Sequence, residues 1–298
     1  MELRTLRSFL AVAREGNVTR AARQLHITQP ALSRQLADLE REVGCELLVR
    51  EPRGVTLTEQ GMLLRKRADE IVSLADRTEQ ELRSPTAQVE GDIWVGGGES
   101  RAMELVARVA TTIVDDHPGV RLRVHSGNGV DVMERIDKGL LDFGVVFGSE
   151  PSSRYESLRL IHEDRWGVLL RRDHPLSARK EISLDDLRGE HLITSSEGGT
   201  LAEDATPMTE YLAKSGYNVV ATYTLLYNAS LLVESGTGIA ICFDGIVATG
   251  KGTPFAYVPI ANAPTTPAFL VWKRFQPLSR ACELFLHGMR ELLATSEQ

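Results

Sequence analysis

The sequence predicts two differently built parts: a small all-α unit near the N-terminus, followed by a long helix and a larger α/β body. Three observations support this prediction. Apolar residues recur at helical spacing through residues 1–43. A long helical pattern then covers residues 59–84. From Asp92 onward, short apolar strands alternate with amphipathic segments, the pattern of a sheet with helices on its faces.

Length and composition indicate an ordinary globular chain with more than one domain. The chain has 298 residues, of which 42% are hydrophobic and 25% are charged. No apolar run is long enough for a membrane span, and no secretory signal is evident. Cys45, Cys242 and Cys282 are odd in number and widely spaced, which fits reduced thiols. We therefore expect a soluble protein in the cytoplasm.

The charge of the chain is unevenly distributed. Residues 1–58 hold nine Arg and no Lys against seven acidic residues, whereas the whole chain carries a net charge of −7. The remainder is therefore strongly acidic. Because binding to nucleic acid depends on contacts with phosphates, the weakly basic N-terminal unit is the part expected to make them.

The N-terminal unit should contain three short helices. Gly16 is expected to end the first helix, and Asn17 is placed to cap the second. Thr28 can cap the third helix, with Pro30 in its first turn, where no intrahelical donor is lost. The apolar face of the third helix is predicted to comprise Leu32, Leu36, Leu39 and Val43.

The polar face of the third helix has the chemistry of a DNA reader. Gln29, Ser33 and Arg34 lie off the apolar face near the N-terminal end, which meets base edges in helix-turn-helix proteins. Gln can bond to adenine and Arg to guanine, and Ser is a versatile partner. For any single residue, a merely solvated polar side chain is the open alternative. The predicted DNA contacts from these helices are Thr19, Arg20, Thr28, Gln29, Pro30, Ser33 and Arg34.

A β-hairpin should follow these helices. Two short apolar runs, residues 46–50 and 55–57, flank a turn at 51–54 that contains Pro and Gly. Such a wing would place Arg50 and Arg53 near the DNA backbone or the minor groove. An arginine at a wing tip is more often a phosphate contact than a base reader.

Residues 1–61 resemble the winged helix-turn-helix of LysR-type transcriptional regulators. The likeness rests on the A-A-R-x-L and T-Q-P-A-L-S segments, the L-L-V-R strand and the closing L-T-E-Q-G. Leu48 stands where the family usually has Phe, and Asn17-Val18 where Ser-Phe is commoner. The resemblance implies a regulator that binds a pseudo-palindromic operator as a homodimer, pairs further to a homotetramer and admits contact with RNA polymerase.

The helix over residues 59–84 has a heptad-like apolar seam. The seam positions are spaced 4, 3, 4, 3 and 4 apart, which fits a two-helix interface. Several of them are small, so a single helix packed on its own domain is the alternative; the resemblance implies the dimer. A break at Ser84-Pro85-Thr86 predicts a hinge over 85–91. The seam comprises Leu64, Ala68, Ile71, Ala75, Thr78 and Leu82.

The α/β body, residues 92–298, is expected to be a regulatory domain. The resemblance implies two lobes similar to periplasmic solute-binding proteins, with a small-molecule effector in the cleft between them. By that likeness, lobe I holds 92–163 and 268–298, and lobe II holds 164–267. Pro85 to Gly91 would then link this body to the preceding helix.

Candidate effector-binding residues occupy loops that follow predicted strands. Hydroxyl and amide groups, together with helix N-termini, favour a carboxylate-bearing metabolite. Asn228 is expected to open a helix and to cap it. Ordinary turn or capping chemistry is the alternative for each position. The candidates are Ser100, Arg101, Gly127, Asn128, Phe147, Thr194, Ser195, Thr200 and Asn228.

No enzyme pattern is found in the sequence. The Gly96–Ser100 loop fails the dinucleotide-binding fingerprint because Arg101 occupies the third glycine position. The seven His lack metal-ligand spacing, and Cys242 lies within an apolar strand. We therefore expect no catalysis, no metal and no cofactor. A solute-binding protein without a regulatory role is the alternative, and the N-terminal unit argues against it.

Overall fold

The structure, a computed structural model, describes residues 1–51, 54–83, 89–196, 212, 215–263 and 265–296. The chain divides into two compact units, Met1–Ser84 and Pro85–Gln298, and each is considered separately. No helix within the described ranges is both long and apolar enough to cross a membrane.

Unit 1 has the predicted order of helices and hairpin. The first two helices meet at Gly16, whose φ of +59° ends α1, and the Asn17 side chain accepts a hydrogen bond from the Arg20 amide at 3.0 Å. The Thr28 hydroxyl caps the third helix at the Ala31 amide, 3.4 Å away. The elements are α1 (Leu3–Glu15), α2 (Val18–Gln24), α3 (Gln29–Val43), β1 (Leu48–Glu51), β2 (Gly54–Leu57) and α4 (Glu59–Arg83).

The core of unit 1 lies between α1, α2 and α3. Val43 was predicted to belong to the apolar face of α3, but its side chain is 39% exposed. It is the last residue of the helix, and Gly44 turns the chain away directly after it with a φ of +75°. The buried core comprises Phe9, Val12, Ala21, Ala22, Leu32, Leu36, Leu39 and Leu47.

Hydrogen bonds fix the hairpin against the helices of unit 1. Glu40 of α3 accepts the amide protons of Leu47 and Leu48 on one carboxylate oxygen, at 2.8 and 3.1 Å. On the second strand, the Val55 amide donates to the Gly16 carbonyl at 2.9 Å. The first strand of the hairpin is therefore tied to α3, and the second strand is tied to the corner between α1 and α2.

Helix α4 packs along α1, and this corrects part of the predicted seam. Leu64 packs against the core of unit 1, and Ala68 is fully buried within the single chain. Ala68 therefore has no surface to offer a partner helix, because its own unit already covers it. Ile71 and Leu74 are 41% and 42% exposed, so the free apolar stripe includes Leu74, beside the predicted seam. The Leu82 side chain lies outside the described residues.

Unit 2 is an α/β body, as predicted, with two five-stranded sheets among its described residues. The first sheet has the order β4-β3-β5-β12-β6, and the second has the order β11-β7-β10-β8-β9. The elements are β3 (Gly91–Gly97), α5 (Met103–Asp116), β4 (Val120–Ser126), α6 (Gly129–Asp137), β5 (Phe143–Phe147), β6 (Tyr155–Asp164), β7 (Trp166–Arg171), β8 (Leu192–Ser195), β9 (Val219–Tyr223), α7 (Leu226–Glu234), β10 (Ile239–Phe243), β11 (Phe255–Pro259), β12 (Thr266–Lys273) and α8 (Arg280–Ser296). Short 3₁₀ turns lie at Pro175–Ala178 and Leu184–Leu187.

The chain crosses between the two sheets twice. It leaves the first sheet at the end of β6 and enters the second at Trp166, with only Arg165 between them. It returns after β11 and rejoins the first sheet as β12, which pairs antiparallel with both β5 and β6. The two sheets therefore form two lobes joined by two adjacent crossings, which we call lobe I and lobe II.

Helices cover each sheet, and the side chains between sheet and helices form the core of each lobe. In lobe I, Phe143 contacts both Trp272 and Phe285, with ring centroids 6.2 and 5.0 Å apart. Gly144 permits close approach of α6 on the other face, since an added Cβ would lie 2.5 Å from Val132 Cγ1. In lobe II, strand residues such as Val168 and Ile241 are fully buried. These cores hold the strand ends that face the other lobe.

Candidate DNA-reading helix and interlobe site

The N-terminal end of α3 presents polar groups outside the core of unit 1. Thr28, Gln29, Pro30 and Arg34 are exposed, and Ser33 is half-buried. The Gln29 amide donates to the Ser33 hydroxyl at 2.8 Å, which holds both side chains on one face. The Arg34 guanidinium makes no ion pair or hydrogen bond within the described part of the chain. This face therefore offers a free guanidinium beside an amide and a hydroxyl, the groups that read base edges.

Thr19 and Arg20 lie at the start of α2, as predicted, but the Arg20 side chain is held by partners in its own unit. Thr19 is exposed. The Arg20 guanidinium lies 3.4 Å from the Glu15 carboxylate and donates to the Glu15 carbonyl, so it braces α1 against α2. Arg53 and the side chain of Arg50 lie outside the described residues.

Ser100 connects the loop after β3 to the crossing between the lobes. Its hydroxyl donates to Asp164 Oδ2 at 2.6 Å and accepts the Ala102 amide proton at 2.9 Å. Asp164 is 1% exposed, and its Oδ1 accepts no hydrogen bond from any described residue, although His162 Nε2 lies 3.4 Å away. Burial raises the pKa of Asp164, and the Ser100 hydrogen bond offsets part of that effect. A buried acid therefore sits at the hinge of unit 2.

Arg101 is already paired within lobe I. Its Nε and Nη2 donate to the two carboxylate oxygens of Glu104, at 2.8 and 3.3 Å. This hydrogen bonding and the charge of Glu104 raise the pKa of the guanidinium. The stem of Arg101 also reaches lobe II, since a Cβ added to Gly245 would lie 2.4 Å from its Cδ.

Glu99 links the two lobes directly. Its carboxylate accepts the amide proton of Leu226, the first residue of α7, so a lobe I side chain caps a lobe II helix. Asn228 was predicted to open and cap this helix, and that prediction is wrong. Helix α7 begins at Leu226, two residues before Asn228, which is exposed within its first turn.

An aromatic cluster closes the cleft beside Glu99. Phe147 at the end of β5 meets Phe243 at the end of β10, with ring centroids 5.7 Å apart. Trp166 lies 4.3 Å from Phe243 by the same measure. Together they enclose a cavity of about 50 Å³, which we call the interlobe pocket. Its walls include Glu99, Phe147, Trp166, Ser195, Tyr223 and Phe243.

The remaining predicted effector residues lie around this pocket or away from it. Ser100 and Arg101 line an open groove that shares Gly98, Glu99 and Ile246 with the pocket. The Gly127 amide donates to the Gly97 carbonyl, and Asn128 caps α6, so both have structural partners. Thr194 is buried in β8, and Thr200 lies outside the described residues.

Four residues that line the interlobe pocket were not predicted from the sequence: Glu99, Trp166, Tyr223 and Phe243. Trp166 and Phe243 belong to apolar strand patterns, and a strand residue that lines a pocket has the same pattern as one in a core. Within the described ranges, no group of three or more His, Cys, Asp or Glu is arranged to hold a metal ion.

Family models match both units of the chain. Residues 3–62 match the bacterial regulatory helix-turn-helix protein of the lysR family, and residues 86–294 match the LysR substrate binding domain. The chain is 31% identical to the Hca operon transcriptional activator HcaR of Escherichia coli over 99% of both chains. It is 28% identical to the HTH-type transcriptional regulator CysL of Bacillus subtilis, over 79% of this chain and 78% of that one.

Solved structures support the same fold. The crystal structure of CbnR, a LysR family transcriptional regulator, is similar with a TM-score of 0.75 and 20% identity, covering 98% of this chain and 99% of that one. Full-length CbnR complexed with its target DNA gives a TM-score of 0.74 at 21% identity, over 98% and 99% of the two chains.

These matches decide between the two classes of protein that the sequence left open, a DNA-binding regulator and a solute-binding protein without a regulatory role. The DNA-binding unit and the two-lobed α/β body belong to one family architecture, whose members are regulators rather than enzymes or transport receptors. The chain belongs to the LysR family of DNA-binding transcriptional regulators.

Proposed function

We propose that α3 enters the major groove of an operator and that Gln29, Ser33 and Arg34 read its bases. The observation that carries this proposal is the exposed, unpaired guanidinium of Arg34 beside the Gln29–Ser33 pair. Thr28 and Pro30 set the start of this helix, through the Thr28 cap on the Ala31 amide and the fixed backbone of Pro30. Backbone contacts are assigned to Thr19, Arg20, Arg50 and Arg53.

We propose that two chains pair through α4, so that two copies of α3 reach successive major grooves of a pseudo-palindromic site. The exposed apolar side chains of Ile71 and Leu74 support this pairing. Ala68 is not part of the proposed interface, because it is already buried in its own unit. Pairing of dimers to a tetramer, a cytoplasmic location and contact with RNA polymerase complete this proposal by analogy with the family.

We propose that a small-molecule effector binds in the interlobe pocket and thereby controls operator binding or activation. The support is that Glu99 and the Phe147–Phe243 contact join the lobes at this point. A ligand changes an equilibrium only through different affinities for its two states. An effector held between the rings would favour one spacing of the lobes over another.

Arginine substitutions test the assignment of α3. An operator is first selected from random duplexes with the full-length protein, and binding to it is compared with binding to scrambled duplexes across a salt series. Arg34→Ala should lower the preference for the operator by about tenfold to a hundredfold, the value of a good base contact. Arg53→Ala should weaken binding to both duplexes alike, because a phosphate contact carries no sequence information.

Arg41→Ala is the matched control, since it removes the same charge from the other end of α3. Arg41 is exposed and pairs with Asp38 at 2.7 Å. It should leave operator preference unchanged. An unaltered preference in Arg34→Ala, or an equal loss in Arg41→Ala, would reject the assignment of base reading to the N-terminal end of α3.

A further inference from the structure

We propose that Glu99 acts as a latch that holds the two lobes of unit 2 together while the interlobe pocket is empty, and that effector binding requires its release from α7. This inference rests on the proposed effector function and concerns the regulation of that site. It depends on the contact that Glu99 makes across the cleft, on the anchoring of its loop and on the size of the pocket.

The latch contact supplies α7 with a cap that its own segment lacks. Helix α7 begins after Leu225, whose apolar side chain cannot accept a hydrogen bond from the first turn. The Glu99 carboxylate of lobe I accepts the Leu226 amide proton instead. The helix dipole also stabilises a carboxylate at this end, so the charge of Glu99 is balanced there. Separation of the lobes would therefore remove both interactions from α7 at once.

Helix α8 of lobe I has a local cap by comparison. The Ser279 hydroxyl directly precedes that helix and accepts the Cys282 amide proton at 3.3 Å. Such a cap lies within one segment of the chain and does not depend on the spacing of the lobes. The cap of α7 comes from a residue 127 positions away and in the other lobe, which makes it sensitive to that spacing.

The loop that carries Glu99 is anchored within lobe I and at the crossing to lobe II. The hydroxyl of the next residue, Ser100, donates to Oδ2 of the buried Asp164 at 2.6 Å. On the other side of Glu99, Gly98 lies so near Phe147 that an added Cβ would be 3.1 Å from the ring. Movement of α7 away from lobe I would therefore break the Glu99 hydrogen bond rather than draw the loop along.

The pocket behind the latch is too small for a metabolite. Its volume of about 50 Å³ leaves room for no more than a few water molecules, whereas sites for small organic ligands typically have about 300–1,000 Å³. Hydrogen bonds also fix two of its rings: Trp166 Nε1 donates to Thr266 Oγ1 at 2.9 Å, and the Tyr223 hydroxyl donates to the Ile241 carbonyl at 2.7 Å. An effector can therefore enter when the lobes move apart, and that movement breaks the Glu99 contact.

Release of Glu99 does not leave its charge buried. Glu99 is half-buried and lines the open groove as well as the pocket. Water in the groove can therefore hydrate the carboxylate after it leaves α7, which avoids the cost of an unpaired buried charge. The Arg101 guanidinium in the same groove is paired with Glu104 and does not compete for Glu99. The contact is thus reversible, and a ligand that binds the open form better shifts the equilibrium toward it.

Fluorine NMR of the full-length protein labelled with 5-fluorotryptophan tests the latch. Trp166 lines the pocket and is 5% exposed, whereas Trp94 and Trp272 lie on strands of lobe I and act as internal references. The Trp166 signal is identified by its loss in Trp166→Phe. Its relaxation by a soluble gadolinium chelate measures how often the cleft is open to solvent.

Two variants remove the latch while nearly keeping the volume of the side chain. Glu99→Met has no carboxylate and should raise the ratio of open to closed forms about tenfold, the effect of losing one hydrogen bond to a charged group, so the relaxation of Trp166 alone increases. Glu99→Gln retains a neutral acceptor and should give a smaller increase. Ser279→Ala is the matched control, since it removes a helix cap within lobe I and should leave Trp166 protected. Unchanged relaxation of Trp166 in Glu99→Met, or an equal increase in Ser279→Ala, would overturn the proposal.

Operator binding by the same variants separates the latch from the effector function. If Trp166 becomes exposed in Glu99→Met and operator affinity changes, both the latch and control through the lobes are supported. If Trp166 becomes exposed while operator affinity stays constant, the latch is supported and effector control of operator binding by lobe spacing is rejected. If Trp166 stays protected, the latch is rejected and the effector function, which does not require it, stands.

Discussion

Replacement of Glu40 by alanine tests whether the hairpin of unit 1 is positioned by the reading helix. One Glu40 oxygen accepts both the Leu47 and Leu48 amide protons, and Leu47 is buried. A hydrogen bond to a charged group contributes about 1.5–3 kcal/mol, and the two bonds share one acceptor, so we expect Glu40→Ala to lower the free energy of unfolding of unit 1 by about 2–4 kcal/mol. Glu40→Gln retains an acceptor and should cost about half as much.

Hydrogen exchange detected by mass spectrometry measures this effect in the full-length protein. Amides of residues 47–51 and 54–57 should exchange faster in Glu40→Ala, while those of α5 and α8 in the other unit should not change. Affinity for the selected operator should also fall, because the hairpin is no longer held beside α3.

Glu46→Ala is the control for the change in charge. Loss of any acidic residue from a DNA-binding unit favours binding to phosphate, so the charge effect must be separated from the loss of hydrogen bonds. Glu46 is exposed, and its carboxylate makes no hydrogen bond or ion pair within the described residues. The reasoning is refuted if the hairpin amides of Glu40→Ala and Glu46→Ala exchange at the same rate.

Three further predictions concern packing, pH and assembly. Gly144→Ala should lower the thermal midpoint of unit 2, because its new Cβ would lie 2.5 Å from Val132 Cγ1, whereas Gly129→Ala meets nothing within 4 Å and should be tolerated. Asp164→Asn should stabilise unit 2 at neutral pH. Burial raises the pKa of Asp164 in the folded state above the ordinary 3.8, so its ionisation lowers the free energy of unfolding of the wild-type protein at pH values above the raised pKa. This destabilisation disappears as the pH falls below 3.8, and equal urea midpoints for both proteins at pH 7 would contradict the prediction. Leu74→Asp should raise the dimer dissociation constant at least about tenfold in sedimentation equilibrium, since it places a charge on the exposed stripe of α4, and an unchanged constant would exclude Leu74 from the interface.

Sequence alone predicted the features whose causes are local. The caps at Asn17 and Thr28 and the end of α1 at Gly16 depend on contacts within about four residues, so residue type and spacing determine them. The same holds for the apolar strands of unit 2. Confirmation was therefore best for the caps and turns of unit 1, which such local contacts determine.

The seam on α4 shows where local pattern stops being sufficient. Periodicity indicated that one face of the helix is covered, and Leu64 and Ala68 are indeed covered. Periodicity does not say whether the covering surface belongs to the same chain or to a second copy. Here α1 covers that face, and the exposed stripe with Ile71 and Leu74 lies next to it around the helix.

The interlobe pocket depends on contacts between residues that are far apart in sequence, and this changes its inferred chemistry. Glu99 and Leu226 are 127 residues apart, and Ser100 and Asp164 are 64 apart. Viewed as separate sequence segments, the start of α7 is a free anion site and Glu99 is an ordinary loop residue. Once the lobes bring them together, the carboxylate of Glu99 caps that helix end, so the two charges offset each other. The helix end that suggested an acidic effector on sequence alone is therefore already occupied by a carboxylate of the protein itself.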